Sequence, residues 1–474
     1  MATSRAVPSV TRRLGGPTAL VRTWIDNAAR QSPARLALAV FALVILLVTA
    51  LLSLPVATSS GQRAPFVDAL FTAASAVCVT GLTVVDTATY WSGTGQVVIM
   101  CAIKVGGLGI ITLASLLGLA VARRLGLRQR LIAASETKAL RLSDVSGLLR
   151  AVIISSTAIE LTIALVLLPS FLAEGEGTGT ALYHSLFYGI SAFNNAGFSV
   201  HTGGVEHWAG NPFVLGPIAI GVFLGSLGFP VMLTVATNLR RRDGVRRGRR
   251  GWNLHTKLTV VTTCLVLGVA VVGFAAFEWT NPGTLGGMSL GDRVLNSVFA
   301  GVMPRSGGFS AVPVNEMRES TWAFQDVLMF IGGGSASTAG GIKVTTLAVL
   351  VLATVAEARG DRDVEAFGRR IPPGSLRLAV TVLLAGSTLV LGFSLALLAM
   401  TGRSLDVVLF EVVSAFGTCG LSTGLSAELP DAGKYLLTAL MFAGRTGTMT
   451  LAAALALRDR RRVVRLPEER PVVG

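Results

Sequence analysis

Four glycines, Gly81, Gly197, Gly308 and Gly420, close copies of one short pattern: an apolar run reaches the glycine, and an apolar and then a hydroxyl residue follow it. The copies are Ser75–Thr83 (SAVCVTGLT), Ser191–Ser199 (SAFNNAGFS), Val302–Ser310 (VMPRSGGFS) and Ser414–Ser422 (SAFGTCGLS). Their glycines are 116, 111 and 112 residues apart, so one unit is used four times. Glycine adopts backbone angles that other residues avoid and leaves the approach to the backbone open. Loops centred on Val79-Thr80-Gly81, Asn195-Ala196-Gly197, Ser306-Gly307-Gly308 and Thr418-Cys419-Gly420 are therefore suited to turning carbonyl oxygens inward. A ring of such carbonyls can replace the water around a dehydrated cation.

The segments that must position these loops have a matching order. A half-length apolar run precedes each glycine: Pro65–Val79, Thr180–Asn195, Leu290–Met303 and Ser404–Gly417. These runs are too short to cross about 30 Å of hydrocarbon and read as helices that dip halfway. Their C-terminal ends carry partial negative charge and would point toward the centre, which again favours cations. Longer apolar segments flank them: Leu36–Leu54 and Gln96–Val121, Gly147–Leu172 and Pro212–Leu239, Leu258–Trp279 and Phe324–Ala353, Leu376–Met400 and Lys434–Leu457. The expected fold class is an all-α polytopic membrane protein with eight transmembrane helices. Four units of span, pore helix, filter and span would surround one pseudo-four-fold pore, because non-helical backbone at membrane depth must be buried in protein or line a water-filled path. The expected boundaries are a basic N-terminus over 1–35, units over 36–122, 147–240, 256–356 and 375–457, and a tail over 458–474.

Composition agrees with that class. The chain is 51% hydrophobic and 14% charged, against about 25% charged in an average soluble protein. Its net charge of +15 does not point to nucleic acid, because 31 of the 41 Lys and Arg fall in five clusters beside apolar stretches and no basic face with interleaved aromatics occurs. The clusters occupy the N-terminus, the three links between units and the tail, whereas the loops around the glycines hold few basic residues, Arg305 among them. By the positive-inside rule both termini are cytoplasmic, and the glycine loops open outward across the plasma (inner) membrane. The four cysteines lie in apolar segments without paired spacing, and His184, His201, His207 and His255 show no metal-ligand spacing.

Four such units in one chain resemble the Trk/Ktr/HKT superfamily of potassium transporters over nearly all of Leu36–Leu457, and the absence of an additional hairpin resembles its KtrB branch. The resemblance implies a K+ filter at the four glycines, with sodium as a second ion to consider. It also implies a homodimer in the lipid bilayer and a separate cytoplasmic nucleotide-binding regulatory ring of the KtrA/TrkA type. It implies a transporter, not an enzyme. The third copy departs from the pattern in lacking the Ser-Ala pair and carrying Pro304-Arg305.

The second spans add further residues. Gly106-Gly107-Leu108-Gly109 and Gly225–Pro230 read as close helix packing through small residues. The run Gly332-Gly333-Gly334-Ser335-Ala336-Ser337-Thr338-Ala339-Gly340-Gly341 is too glycine-rich to stay helical and should break its span. Interrupted spans mark ion pathways, and the resemblance makes this one a gate under the filter, the alternative being a passive kink. Lys343 would hold the loop by bonding backbone carbonyls, with Lys104 doing the same in the first unit; the alternative for either is a helix-end anchor. Arg445 lies too far from either surface to snorkel. The resemblance places it below the filter as an electrostatic barrier; the alternative is an ion pair with Glu160 or Glu411. Glu160 itself needs a partner that the sequence does not name. Asp68, His184, Asn296 and Asp406, near the starts of the half-length runs, are expected to cap free N–H groups. Two other functions stay open: the translocating subunit of an ATP-driven potassium pump, and a membrane scaffold that transports nothing.

Overall fold

The computed structural model describes residues 33–124, 145–240 and 252–457. The basic N-terminus, residues 125–144 and 241–251 of the basic links, and the tail from 458 onward lie outside the described residues.

The half-length runs are helices α2 (Phe66–Val77), α5 (Thr178–Phe193), α9 (Leu290–Val302) and α13 (Leu405–Gly417). Before them come α1 (Pro33–Leu52), α4 (Val145–Ala173), α8 (Leu254–Glu278) and α12 (Pro373–Thr401). After them come α3 (Gly93–Arg124), the pair α6 (Pro212–Leu227) and α7 (Phe229–Arg240), the pair α10 (Glu319–Phe330) and α11 (Val344–Arg359), and α14 (Asp431–Leu457). Three of the starts carry side-chain caps: Asn211 accepts from the Phe213 amide before α6, Asn253 from the Thr256 amide before α8, and Ser289 from the Asp292 amide before α9. Three described helices are each long and apolar enough to cross a membrane, spanning Arg150–Ala173, Leu254–Glu278 and Pro373–Thr401. The pair Pro212–Leu227 and Phe229–Asn238 meets the same measure together, although bent by 100°.

Each half-length helix packs on the long helix before it, and the second to fourth also pack on one from the unit before: α5 on α3, α9 on α6, and α13 on α10. The first, α2, packs on the last, α14, so the arrangement closes on itself. Polarity is inverted relative to a soluble protein. Glu160 is 2% exposed and Arg445 2%, whereas Leu165 is 66% and Val272 68% exposed. Outward apolar faces and inward ionisable groups are what a lipid solvent demands.

Four expectations need correction. The predicted single span Pro212–Leu239 is broken at Gly228, whose φ of 90° lies in the left-handed region and redirects the chain between α6 and α7. The fold is not wholly α: strands β1 (Glu365–Ala366) and β2 (Arg369–Arg370) pair antiparallel about Phe367 and Gly368, both at positive φ, in the link before α12. Such a two-residue turn suits a hairpin. Lys104 does not bond loop carbonyls; its Nζ donates to Glu160 Oε2 at 2.5 Å and lies 3.2 Å from the Ser156 and Thr157 hydroxyls. Asp68, His184 and Asn296 do not cap helices. Asp68 pairs with Lys434 at 2.7 Å, His184 meets Glu176, and Asn296 donates to the Ala209 and Asp292 carbonyls.

The Lys104–Glu160 pair, with Asn194 Nδ2 on the other carboxylate oxygen at 2.8 Å, ties α3, α4 and the end of α5 together. Lys104→Met leaves a buried carboxylate without its cation and should cost about 3 kcal/mol. The purified protein should therefore melt at a lower temperature. Adding Glu160→Gln should restore part of the loss, and a double variant no more stable than the single one would count against the pairing.

Candidate functional site

The four glycine loops meet. A Cβ placed on Gly81 would lie 2.3 Å from the Ala196 carbonyl oxygen, and one on Gly197 would lie 2.8 Å from Gly308 Cα and 3.2 Å from the Gly307 oxygen. One on Gly308 would lie 2.6 Å from the Cys419 oxygen, and one on Gly420 would lie 2.2 Å from the Thr80 oxygen. The contacts run first to second, second to third, third to fourth and fourth back to first, closing a ring. All twelve residues from Val79 to Gly420 named from the sequence lie in these loops.

Backbone hand repeats around the ring. Gly81, Gly197, Gly308 and Gly420 all have φ between 69° and 96°, and the residue two before each, Val79, Asn195, Ser306 or Thr418, has φ between 46° and 71°. Two of those four, Val79 and Thr418, are β-branched, for which positive φ is a genuine outlier. Strain of this kind costs on the order of 1–3 kcal/mol per residue and persists only where the surroundings enforce it.

Local hydrogen bonds enforce the shape. The first serine of the motif stitches its own loop: the Gly81 amide donates to Ser75 Oγ at 3.1 Å, and the Gly420 amide to Ser414 Oγ at 3.0 Å. In the second loop Ser191 Oγ donates to the Phe198 carbonyl at 2.9 Å. The third loop has valine at that place, and its hydroxyl comes instead from Ser306, which donates to the Thr418 carbonyl at 2.6 Å and accepts the Gly340 amide at 3.2 Å. Its departure from the pattern thus exchanges an internal stitch for ties to the fourth loop and to the glycine-rich run.

That run is irregular from Ile331 to Lys343, between α10 and α11, as its composition predicts. It lies against three of the four glycine loops and against the break at Gly228. Thr338 Oγ1 donates to Asn195 Oδ1 at 3.0 Å, Gly340 meets Ser306 and Thr418, and the Phe229 amide donates to the Ala336 carbonyl at 3.3 Å. Lys343 Nζ donates to the Ala339 carbonyl at 2.5 Å, the predicted contact. Arg445 Nη1 donates to the Thr338 carbonyl, and its Nε and Nη2 are buried without a hydrogen-bond partner among the described residues. The alternative of an ion pair is not met: Glu160 is taken by Lys104 and Asn194, and Glu411 accepts from Ser422 and Ser426. Close packing through Gly106 and Gly225 is present, since a Cβ on either would lie 2.0 Å from the carbonyl oxygen of Val77 or Phe193.

Two features escaped the sequence reading. Arg305 is a buried residue, not a loop cation: its Nη1 donates to the Thr263 carbonyl at 3.3 Å, and its guanidinium stacks 5.9 Å from the Phe223 ring centre. His184 and His201 converge on Glu176 although no short motif joins them. Elsewhere among the segments that leave the loops, burial and then the Glu316 carboxylate hold the Glu206 carboxyl above the ordinary range.

Comparison with known proteins gives the family and the fold. Residues 30–461 match the TrkH cation transport protein family. The chain is 38% identical to the Ktr system potassium uptake protein B of Bacillus subtilis, over 88% of this chain and 91% of that one. It is 36% identical to the protein of the same name from Vibrio alginolyticus, over 95% and 96%. Its fold is similar to the crystal structure of the potassium transporter TrkH from Vibrio parahaemolyticus, with a TM-score of 0.68 at 16% identity, covering 87% of this chain and 83% of that one. A chain matched by that family along nearly its whole length, folded as a helical membrane protein, is not an enzyme; it belongs to the TrkH family of cation transport proteins.

Proposed function

We propose that this chain is the ion-translocating subunit of a potassium uptake system. The observation that carries the proposal is the closed ring of four glycine loops, each presenting the same backbone hand. The names of its relatives, potassium uptake proteins of Ktr systems, supply the ion and the idea of a system with further subunits. In this reading α2, α5, α9 and α13 are pore helices, the long segments make eight crossings, and the four units share one pseudo-four-fold pore with both termini in the cytoplasm. Potassium sheds water at the ring because carbonyl oxygens of the residues flanking the glycines take its place. The aligned C-terminal ends of the four pore helices add negative potential there. Uptake is driven by the membrane potential, worth about 2.3 kcal/mol per charge per 100 mV.

The Ile331–Lys343 segment serves as the gate. It contacts the second, third and fourth loops directly, and Arg445 and Lys343 fix its carbonyls. The unpartnered nitrogens of Arg445 place positive charge beside the path, a barrier to a cation while the loop is in place. A homodimer and a cytoplasmic nucleotide-binding ring complete the proposed assembly, the ring acting on the gate from inside.

Expression in a host that lacks potassium uptake tests the function. Growth at low potassium should return when the chain is supplied with a regulatory ring. Absence of rescue with protein in the membrane would favour a scaffold, and rescue that requires a partner ATPase would favour a pump subunit.

Gly81→Ser puts a side chain where only 2.3 Å separates Cβ from the Ala196 oxygen, at a φ of 92°. The distorted ring should lose preference for potassium, so sodium should compete more strongly in tracer flux into liposomes. Unchanged competition among potassium, rubidium and sodium would argue against the ring as the filter.

Arg445→Ala removes a charge-assisted bond to Thr338, worth about 1.5–3 kcal/mol. In a two-state gate this corresponds to roughly tenfold to a hundredfold more open protein. Basal flux without nucleotide should rise accordingly, and flux that falls with folded protein present would assign the segment to packing.

A further inference from the structure

Glu176, His184 and His201 come from three separate places: the turn between α4 and α5, the pore-facing helix α5, and the segment that leaves the second glycine loop four residues after Gly197. His184 Nδ1 lies 2.9 Å from both Glu176 oxygens, and His201 Nε2 lies 3.3 Å from Glu176 Oε1. The three ligand atoms all fall within 4.8 Å of one another. Ligand atoms about 2.0–2.1 Å from one tetrahedral ion are about 3.3 Å apart, a spacing that the two contacts to Glu176 already approach, so a small cation fits among these groups once the two imidazoles close on it.

We infer that Glu176, His184 and His201 form a binding site for one divalent transition-metal ion of the zinc class. Two imidazoles and one carboxylate are a recurrent zinc ligand set that leaves the fourth position to water. The groups behind the ligands hold them in place as well. His201 uses Nε2 toward the site, and its Nδ1 is 2.9 Å from the Tyr188 hydroxyl, an arrangement that fixes tautomer and ring orientation. The ring of Phe171 stacks on His201 at 5.9 Å and meets His184 edge-on at 6.2 Å, and Tyr188 packs against both rings, 5.7 Å from His201 and 5.8 Å from Phe171. The rings are therefore held before any ion arrives. The ligand side chains keep 16–25% of their surface in contact with solvent, so an ion has access. Hard cations that prefer all-oxygen shells do not suit two nitrogen donors. A bound ion would join the α4–α5 turn, α5 and the exit of the second glycine loop at one point.

The experiment uses the tag-free full chain in detergent, titrated with Co2+ and then with Zn2+. One equivalent of Co2+ should give the visible bands of a four-coordinate ion, and Zn2+ should abolish them. Zn2+ should also raise the melting temperature, whereas equimolar Mg2+ should not. His184→Ala and Glu176→Gln should each lose the visible bands. If a variant fails to fold, the wild-type spectrum still decides, because a near-ultraviolet cobalt–thiolate band would assign the ion to a cysteine and overturn the site. Absence of any Co2+ band, or bands unchanged in folded variants, would reduce the cluster to a hydrogen-bonded group. The readout is the metal itself, so the result stands apart from whether the chain moves potassium.

Discussion

Peptide groups inside a lipid bilayer have no water to bond, so backbone that leaves the helix there must find partners within the protein. Four glycine loops, the bend at Gly228 and one thirteen-residue break from Ile331 to Lys343 leave the helix in this fold, and they satisfy that condition through their own side chains and through one another. Ser75 and Ser414 take the glycine amides of their own loops, Ser306 takes the Gly340 amide, and Lys343 and Arg445 take carbonyls of the break. The rest of the fold, with half-length helices ending at the ring and small residues letting α3 and α6 approach them, exists to hold those backbones together.

Much of this was legible in the chain. The half-length runs ended within two residues of their expected limits because apolar composition stops where the glycine motif begins. The break in the third unit was legible because a run with five glycines in ten residues cannot hold a helix. Contacts between distant segments were not legible. Glu160 finds Lys104 56 residues earlier, and no local pattern marks the pair. The same holds for Glu176, His184 and His201, whose spacings of eight and seventeen residues fit no helical or hairpin repeat. The bend at Gly228 was hidden because Gly225–Pro230 satisfies two readings at once: the glycines do allow close packing, and one of them also takes a left-handed angle. Charge counting misplaced Arg305 because it treats every arginine in a short loop as solvated, whereas this one stacks on Phe223.

Asymmetry enters through a few substitutions on a common frame. The second loop offers Asn195 to Thr338, the third offers Ser306 to Gly340, and the fourth offers Thr418 beside the same glycine. A symmetric ring of backbone therefore carries unequal side chains on the face that meets the break. In the proposed mechanism this separates two tasks physically: ion preference depends on all four backbones, while opening depends on bonds made by three loops and two cations.

The contact between the first half-length helix and the last long one joins the two ends of the molecule. Lys434 reaches Asp68 across 366 residues of chain, which at ribosomal rates of about 5–20 residues per second is a delay on the order of tens of seconds. Throughout that interval the first glycine loop has no fourth neighbour, and Val79 has no reason to hold its left-handed angle. The ring is thus complete only after the fourth unit has been made, and the last long helix to be synthesised is the one that packs on the first half-length helix.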